Sequence, residues 1–292
     1  MAEGHPALPS IVSVDVEDWF HILDVASTPA IDIWDTLPSR VESNFRRLLD
    51  LFGEHQARVT CFFLGWVGER YPHLVREAAQ RGHEIASHGY AHKLVYQMTR
   101  DEFYADAVRA REILEDACGM PVAGYRSPGF SATAKTSWFL ETLAEAGYRY
   151  DSSVFPAARS HGGMRSAPRE PYRVGSPDAG LVEVPISVAD LAGVPLCFFG
   201  GGYLRLFPYW LIRRMARRVL AEGRPVVYYV HPREIDPDHP RLPMSAVRRF
   251  KSYVNLSSTE GKLRRILQEF PTVTFQEYLD RYAGRLVEAY AH

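Results

Sequence analysis

The sequence predicts an α/β fold in which parallel strands wind right-handedly into a barrel or open sheet. Three observations carry this. Short β-branched runs alternate with amphipathic stretches along most of the chain. Several helix-like stretches stop at a glycine, as Arg81 does before Gly82 and Cys118 before Gly119. A chain of 292 residues is long enough to bury one large core.

Taken in order, Ile11 to Val16 reads as a buried strand. Val41 to Phe52 reads as a helix with Val41, Phe45, Leu48, Leu49 and Phe52 on one stripe. Arg58 to Leu64 is a strand, Val67 to Arg81 a helix, and Glu84 to Ser87 a short strand. Thr99-Arg100-Asp101-Glu102 is a capping box opening a helix that runs to about Cys118. Val122 to Arg126, Leu181 to Val188 and Pro225 to Val230 are the next strands, with helices at Thr136 to Ala146 and Tyr209 to Glu222. Phe155 to Asp178, rich in Gly, Pro, Ser and Arg, reads as a long loop beside a site. After a proline-rich passage, two helices are expected, Ser257 to Phe270 (capped by Ser257 with Glu260) and Phe275 to Ala289. Without an internal repeat or low-complexity linker, the reading is one domain over 1–292, with a core of about 10–235 and a helical extension over 236–292.

Hydrophobic residues at 46% and charged ones at 24% are ordinary globular values, and a net charge of -1 gives no reason to expect nucleic acid as partner. Arginines cluster at Arg213-Arg214, Arg217-Arg218 and Arg248-Arg249, either as solvated helix faces or as a basic face for an anionic membrane or a pyrophosphate-linked substrate. Cys61, Cys118 and Cys197 are too few and too scattered for a disulfide framework, which suits a reducing compartment. The apolar region Leu181 to Leu204 is broken by Glu183, Asp190, prolines and glycines, so it cannot span a bilayer as one helix, and a cytoplasmic location is expected.

The candidate chemistry gathers at the ends of the expected strands, the rim where catalytic groups of α/β barrels collect. Asp15, Glu17 and Asp18 follow the first strand, His88 and His92 the third, Arg126 the fourth and His231 the last. His88 and His92 are spaced i, i+4, which on a helical turn puts two imidazoles on one side; two imidazoles and a carboxylate make a three-ligand metal site. With 11 histidines, chance alone gives roughly 0.4 such pairs, so the surroundings carry the inference. The same donor set also describes the facial triad of iron oxygenases, a class with a different scaffold.

Five ordered motifs over roughly Ile11 to Pro232 resemble the polysaccharide deacetylases of the NodB-homology type, carbohydrate esterase family four. They are Asp15-Val16-Glu17-Asp18, Gly82 through His92, Tyr125-Arg126-Ser127-Pro128, Tyr148 through Ser153, and Tyr229-Val230-His231. Gly200-Gly201-Gly202-Tyr203, His231 through Pro237, and Tyr253 through Ser257 resemble a bacterial subfamily associated with exopolysaccharide and exosortase gene clusters.

The resemblance implies a distorted (β/α) barrel and metal-dependent removal of acetyl groups from an N-acetylated sugar. It implies Asp18, His88 and His92 as ligands of a divalent ion, zinc being expected, Glu17 as base and His231 as general acid. Arg126 would orient Glu17, Asp151 would orient His231, and a backbone N–H near the third motif would share the oxyanion. The family's usual first motif is two aspartates followed by glycine; here Glu17 and Trp19 depart from it. Asp15 shares a strand face with Glu17 and is the alternative base. Trp19, Ser127, Pro128 and Tyr229 are the expected sugar contacts, Trp19 being equally open to a core role. The substrate would be a glycan or a lipid-linked or nucleotide-linked sugar precursor. Hydrolysis of a small cyclic amide on the same scaffold, or non-catalytic glycan binding, are the alternatives.

Overall fold

The computed structural model describes residues 8–23, 25–159, 162–175, 180–282 and 286. Strand β1 (Ser10–Val16) is buried along its whole length and pairs with three other strands. It pairs in parallel with β10 (Val226–Val230) on one side; on the other it pairs with β2 (Thr60–Phe63) and, lower down, with β11 (Thr272–Val273). The sheet continues through β3 (Glu84–Ser87), β4 (Gly124–Tyr125), β5 (Tyr150–Asp151) and β7 (Leu181–Glu183), and ends at β6 (Tyr172–Val174), its antiparallel member. The result is a curled, mostly parallel half-barrel that runs from β10 to β6 without closing. A separate hairpin, β8 (Ala189–Leu191) with β9 (Val194–Leu196), lies outside it.

Alternation along β1 divides the two cores. Val12, Val14 and Val16 face the helices and join the larger apolar cluster, with Phe45, Leu48 and Phe52 of α1 (Val41–Glu54). Ile11 joins Phe62, Tyr150, Val227 and Phe275 in a second cluster, which α10 (Phe275–Tyr282) covers by stacking Phe275 on Tyr150. The segment after 236 is therefore woven into the sheet, through β11 against β1, rather than appended to it.

The remaining helices follow local signals with some changes. The expected helix over Val67–Arg81 is two helices, α2 (Gly65–Arg70) and α3 (Pro72–Gln80). Pro72 has no N–H to continue α2 and pushes Tyr71 out of helical geometry, to φ -129°. Helix α4 (Arg100–Cys118) has the full capping box, with the Glu102 N–H donating to Thr99 Oγ1 at 3.2 Å and the Thr99 N–H to Glu102 Oε2 at 2.8 Å, and it ends at Gly119 with φ 70°. Helix α5 (Phe139–Glu145) starts three residues late, after a separate turn. The strand expected to run to Val188 stops at Glu183, two residues before Pro185. Part of the expected loop over 155–178 is strand β6, while 160–161 and 176–178 lie outside the described residues. Helices α6 (Gly201–Leu206) and α8 (Ala246–Tyr253) were not legible as helices, and α7 (Tyr209–Ala221) was. Helix α9 (Thr259–Glu269) begins without the expected Ser257 cap. Beyond Tyr282 the expected last helix lies outside the described residues except at 286. Among the described residues no helix is long and apolar enough to cross a membrane, and all three cysteines are free thiols, with Cys61 and Cys197 buried in the cores.

Candidate metal and catalytic centre

The C-terminal ends of β1, β3, β4 and β10 deliver Asp15, Glu17, His88, His92, Arg126 and His231 to one rim. All of these except Arg126, which lies just beneath, line a single cavity of about 500 Å³. His88 and His92 are not on a helical turn. They sit in an irregular loop after β3, with φ 71° at Gly89 and 52° at His92, and their rings are 5.3 Å apart. The Gly89 turn is held by the half-buried Asp106 carboxylate, which accepts the Tyr90 N–H at 2.8 Å.

One carboxylate joins the two imidazoles, and it belongs to Glu17. Donor atoms of Glu17, His88 and His92 lie within 4.8 Å of one another, and Glu17 Oε2 is 2.7 Å from His92 Nε2. His88 Nδ1 donates to the Arg126 carbonyl at 2.8 Å, so its Nε2 lone pair is the free one, as a metal ligand requires. The donor set fits a divalent ion such as zinc. Burial alone pushes the Glu17 carboxyl up, but His92, then His231 and Arg233, outweigh it and hold it well below the usual carboxylate range. Burial pushes His88 down to about 4.

Asp18, expected beside the imidazoles, is turned away. Its carboxylate accepts the Ser39 hydroxyl at 2.6 Å and the backbone N–H groups of Trp19, Arg40 and Val41 at 2.8 to 3.2 Å. The unsatisfied N–H groups at the start of α1 attract it. Arg126 is correspondingly not on Glu17. Its Nη1 donates to Asp15 Oδ1 at 2.7 Å and to Ser13 Oγ at 2.8 Å, and its guanidinium lies 4.1 Å from the Phe62 ring centre. Asp15 Oδ2 faces the cavity, 3.7 Å from His231 Nε2.

Asp151 does not reach His231 either. It accepts from Ser153 at 2.6 Å and lies against Glu183; burial raises both carboxyls, and their proximity raises Glu183 further. His231 is oriented instead by Glu234, which accepts from its Nδ1 at 3.0 Å and is paired in turn with the buried Arg205, also at 3.0 Å. Burial works against the imidazolium of His231, yet Glu234, Glu17 and Asp15 together raise its pKa. The signal for Glu234 was present in His231-Pro232-Arg233-Glu234, where an acid three residues after a helix-start position folds back onto it; the Glu234 carboxylate accepts the His231 backbone N–H at 3.0 Å.

Of the expected sugar contacts, Tyr229 alone lines the cavity, packed 4.9 Å from Phe130 and 6.1 Å from His231. Gly200 lies flat against it, since a Cβ there would come within 2.1 Å of the ring. Trp19 is a core residue, its indole N–H donating to the Pro38 carbonyl at 2.9 Å. Ser127 and Pro128 are buried, the Ser127 hydroxyl accepting from the Ser131 N–H.

Residues 30–150 match the family model described as polysaccharide deacetylase, and residues 152–280 match a domain of unknown function, DUF3473. Two curated relatives, both peptidoglycan-N-acetylglucosamine deacetylases of Bacillus cereus, are 30% identical over 82 residues and 27% identical over 103 residues. These stretches are 28% and 35% of this chain and only 30% and 46% of those proteins' length. Among solved structures, a Mycobacterium smegmatis protein assigned as a polysaccharide deacetylase superposes with TM-score 0.63 at 21% identity, over 99% of this chain and 98% of that one. Puue allantoinase superposes with TM-score 0.61 at 15% identity, over 94% and 89%. Residues 30–150 thus match the polysaccharide deacetylase model, and the chain shares the curled α/β half-barrel fold of these structural neighbours.

Proposed function

We propose that the protein is a metal-dependent hydrolase that removes N-acetyl groups from an N-acetylated sugar in a polysaccharide or its precursor, in bacterial exopolysaccharide biosynthesis. The observation that carries this reading is the approach of Glu17, His88 and His92 donor atoms to within 4.8 Å, beside Asp15 and His231 in one cavity. Since the cavity draws on both matched segments and on residues before them, the whole chain works as one catalytic domain.

Glu17, His88 and His92 would hold a divalent ion, zinc by the donor set, which when bound would supply Lewis-acid polarisation of the acetyl carbonyl and a more acidic water. Asp15 is the base: Arg126 anchors Oδ1 and leaves Oδ2 to accept a proton from attacking water. Protonated His231, on the same side of the pocket, donates to the departing sugar amine, and Glu234 holds it for that transfer. Tyr229 and Phe130 offer the sugar an aromatic wall.

The substrate is met as a lipid-linked or nucleotide-linked precursor. Helix α8 supports peripheral membrane contact, because exposed Val247 and Phe250 stand among Arg248, Arg249 and Lys251 near the cavity mouth. Three free thiols suit a cytoplasmic setting. The test is acetate release from N-acetylglucosamine oligomers and from phosphate-linked N-acetylglucosamine, alongside metal analysis. His88→Ala and His92→Ala should lose both metal and turnover. Full turnover in a metal-free variant rejects the reading.

A further inference from the structure

The cavity holds more positive charge than its own acids can balance. Its acidic lining residues, among those described, are Asp15, Glu17 and Glu234. Asp15 is bound by Arg126 from below, Glu234 is shared between Arg205 and His231, and Glu17 is engaged with His92. Arg159, Arg233 and Lys251 also line the space.

Arg233 is the sharpest case. Its side chain is 11% exposed, and its Nε and Nη1 are buried without a hydrogen bond. The nearest carboxylate oxygen, Glu17 Oε1, is 3.8 Å from Nε, beyond hydrogen-bond range. Arg205, close enough to feel the repulsion, adds a like charge. A second guanidinium, that of Arg159, lies over the Phe130 and Phe155 rings, 5.1 Å and 4.7 Å from their centres, with Nη1 buried and unbonded. Buried guanidinium N–H groups left unpaired are costly, and a planar fork of donors matches phosphate oxygens.

The position of Arg233 decides which anion suits it. It stands next to Glu17, hence next to where the acetamide must lie on the proposed reading. In a 2-acetamido sugar the anomeric carbon adjoins the carbon that bears the acetamide. A phosphate on the anomeric oxygen is therefore within reach of Arg233 in a pose that brings the acetyl group to Glu17, His88 and His92. The interior unit of a neutral polymer has no charge to place there.

We infer that Arg233 and Arg159 form an anion subsite for a diphosphate on the anomeric carbon of the substrate sugar; this rests on the deacetylase reading for the sugar's orientation. Nucleoside diphosphate and prenyl diphosphate carriers share this chemistry, and α8 beside the mouth gives the second a route in from a membrane surface.

The test is calorimetric titration of the metal-loaded protein with inorganic pyrophosphate, uridine diphosphate and a short prenyl diphosphate. None contains an acetyl group, so binding is read apart from turnover. All three should bind competitively, the tighter of the last two identifying the carrier. Arg233→Gln and, separately, Arg159→Gln should each weaken binding about ten-fold or more. If Arg233→Gln fails to fold, Arg159→Gln and Arg233→Lys carry the comparison. No binding by the wild type, or undiminished binding by the folded variants, overturns the subsite. Acetate release from neutral oligomers without diphosphate binding leaves the deacetylase reading standing and removes this one; diphosphate binding through Arg233 with no acetate release from any acetylated sugar removes the deacetylase reading and the anomeric placement with it, and leaves only the anion subsite.

Discussion

His231 and Glu234 are joined twice, the Glu234 Oε2 accepting from both the ring Nδ1 and the backbone N–H of His231 at 3.0 Å. The double contact fixes the ring so that Nε2 faces the cavity, 3.7 Å from Asp15 and 3.6 Å from Glu17. Arg205 holds Glu234 well below the usual carboxylate range, at about 2 against the upward push of burial, so the anion persists down to strongly acidic pH.

A first expectation concerns the pH profile. Glu234 raises the His231 pKa, and a proton donor acts below its pKa, so activity should fall as pH rises through that value. Glu234→Gln removes the anion, and the alkaline limb of kcat should move to lower pH by about one unit. An unshifted limb in the folded variant would take Glu234 out of this role. Because Arg205 would be left buried and unpaired, Arg205→Met with Glu234→Gln is the control for folding.

The three acids of the first motif should separate cleanly. Glu17→Ala should abolish metal binding. Asp15→Asn should keep the metal yet lower kcat by about 10²-fold or more, the usual size of a lost general base. Asp18→Ala should keep the metal and lower stability by about 2–4 kcal/mol, because it strands the Ser39 hydroxyl and the N–H groups at the start of α1. Metal content, turnover and thermal melting read the three apart; loss of metal in Asp18→Ala with unchanged melting would contradict the geometry.

The buried pair Asp151 and Glu183 gives stability a pH dependence. Both carboxyls are raised in the folded state, Asp151 to about 6. Raised carboxyl pKa values mean that the folded state binds protons the unfolded chain has released. The contribution is thus full at acidic pH and is lost as pH climbs through about 6 and beyond. Glu183→Gln supplies a permanent donor to Asp151, so denaturant melts between acidic and mildly alkaline pH should lose the decline, on the order of 2 kcal/mol, seen in the wild type. Parallel curves for the two proteins would refute it.

Trp19 should behave as a core residue. Trp19→Phe leaves its contact with Phe20 but strands the Pro38 carbonyl, for a loss of about 1–3 kcal/mol in stability with little change in KM. A large KM increase at unchanged melting temperature would return it to the sugar site. Tyr229→Ala should do the opposite to KM, since that ring lines the cavity.

Much of this was legible in one dimension because it is local. The β-branched run of β1, the Thr99 capping box and the stripe of α1 each depend on neighbours a few residues away, and all three formed. The choice among neighbouring acids was not local. Whether Glu17 or Asp18 joins the imidazoles depends on where the chain turns after β1, and that turn is set by α1 starting 23 residues later and drawing Asp18 to its N–H groups. The same holds for Arg126, whose partner was a matter of which carboxylate shares the inner face of the sheet. It is Asp15, by the alternation of β1.

Residue types and their order along the chain, by themselves, determined that strands and helices alternate and that acids, imidazoles and an arginine gather at strand ends. Only the tertiary structure decided which carboxylate meets the histidines, which one meets Arg126, and that Glu234 rather than Asp151 orients His231. Pattern records what a residue can bond; burial then presses most polar atoms to find a partner within reach, and reach is a property of the folded chain alone.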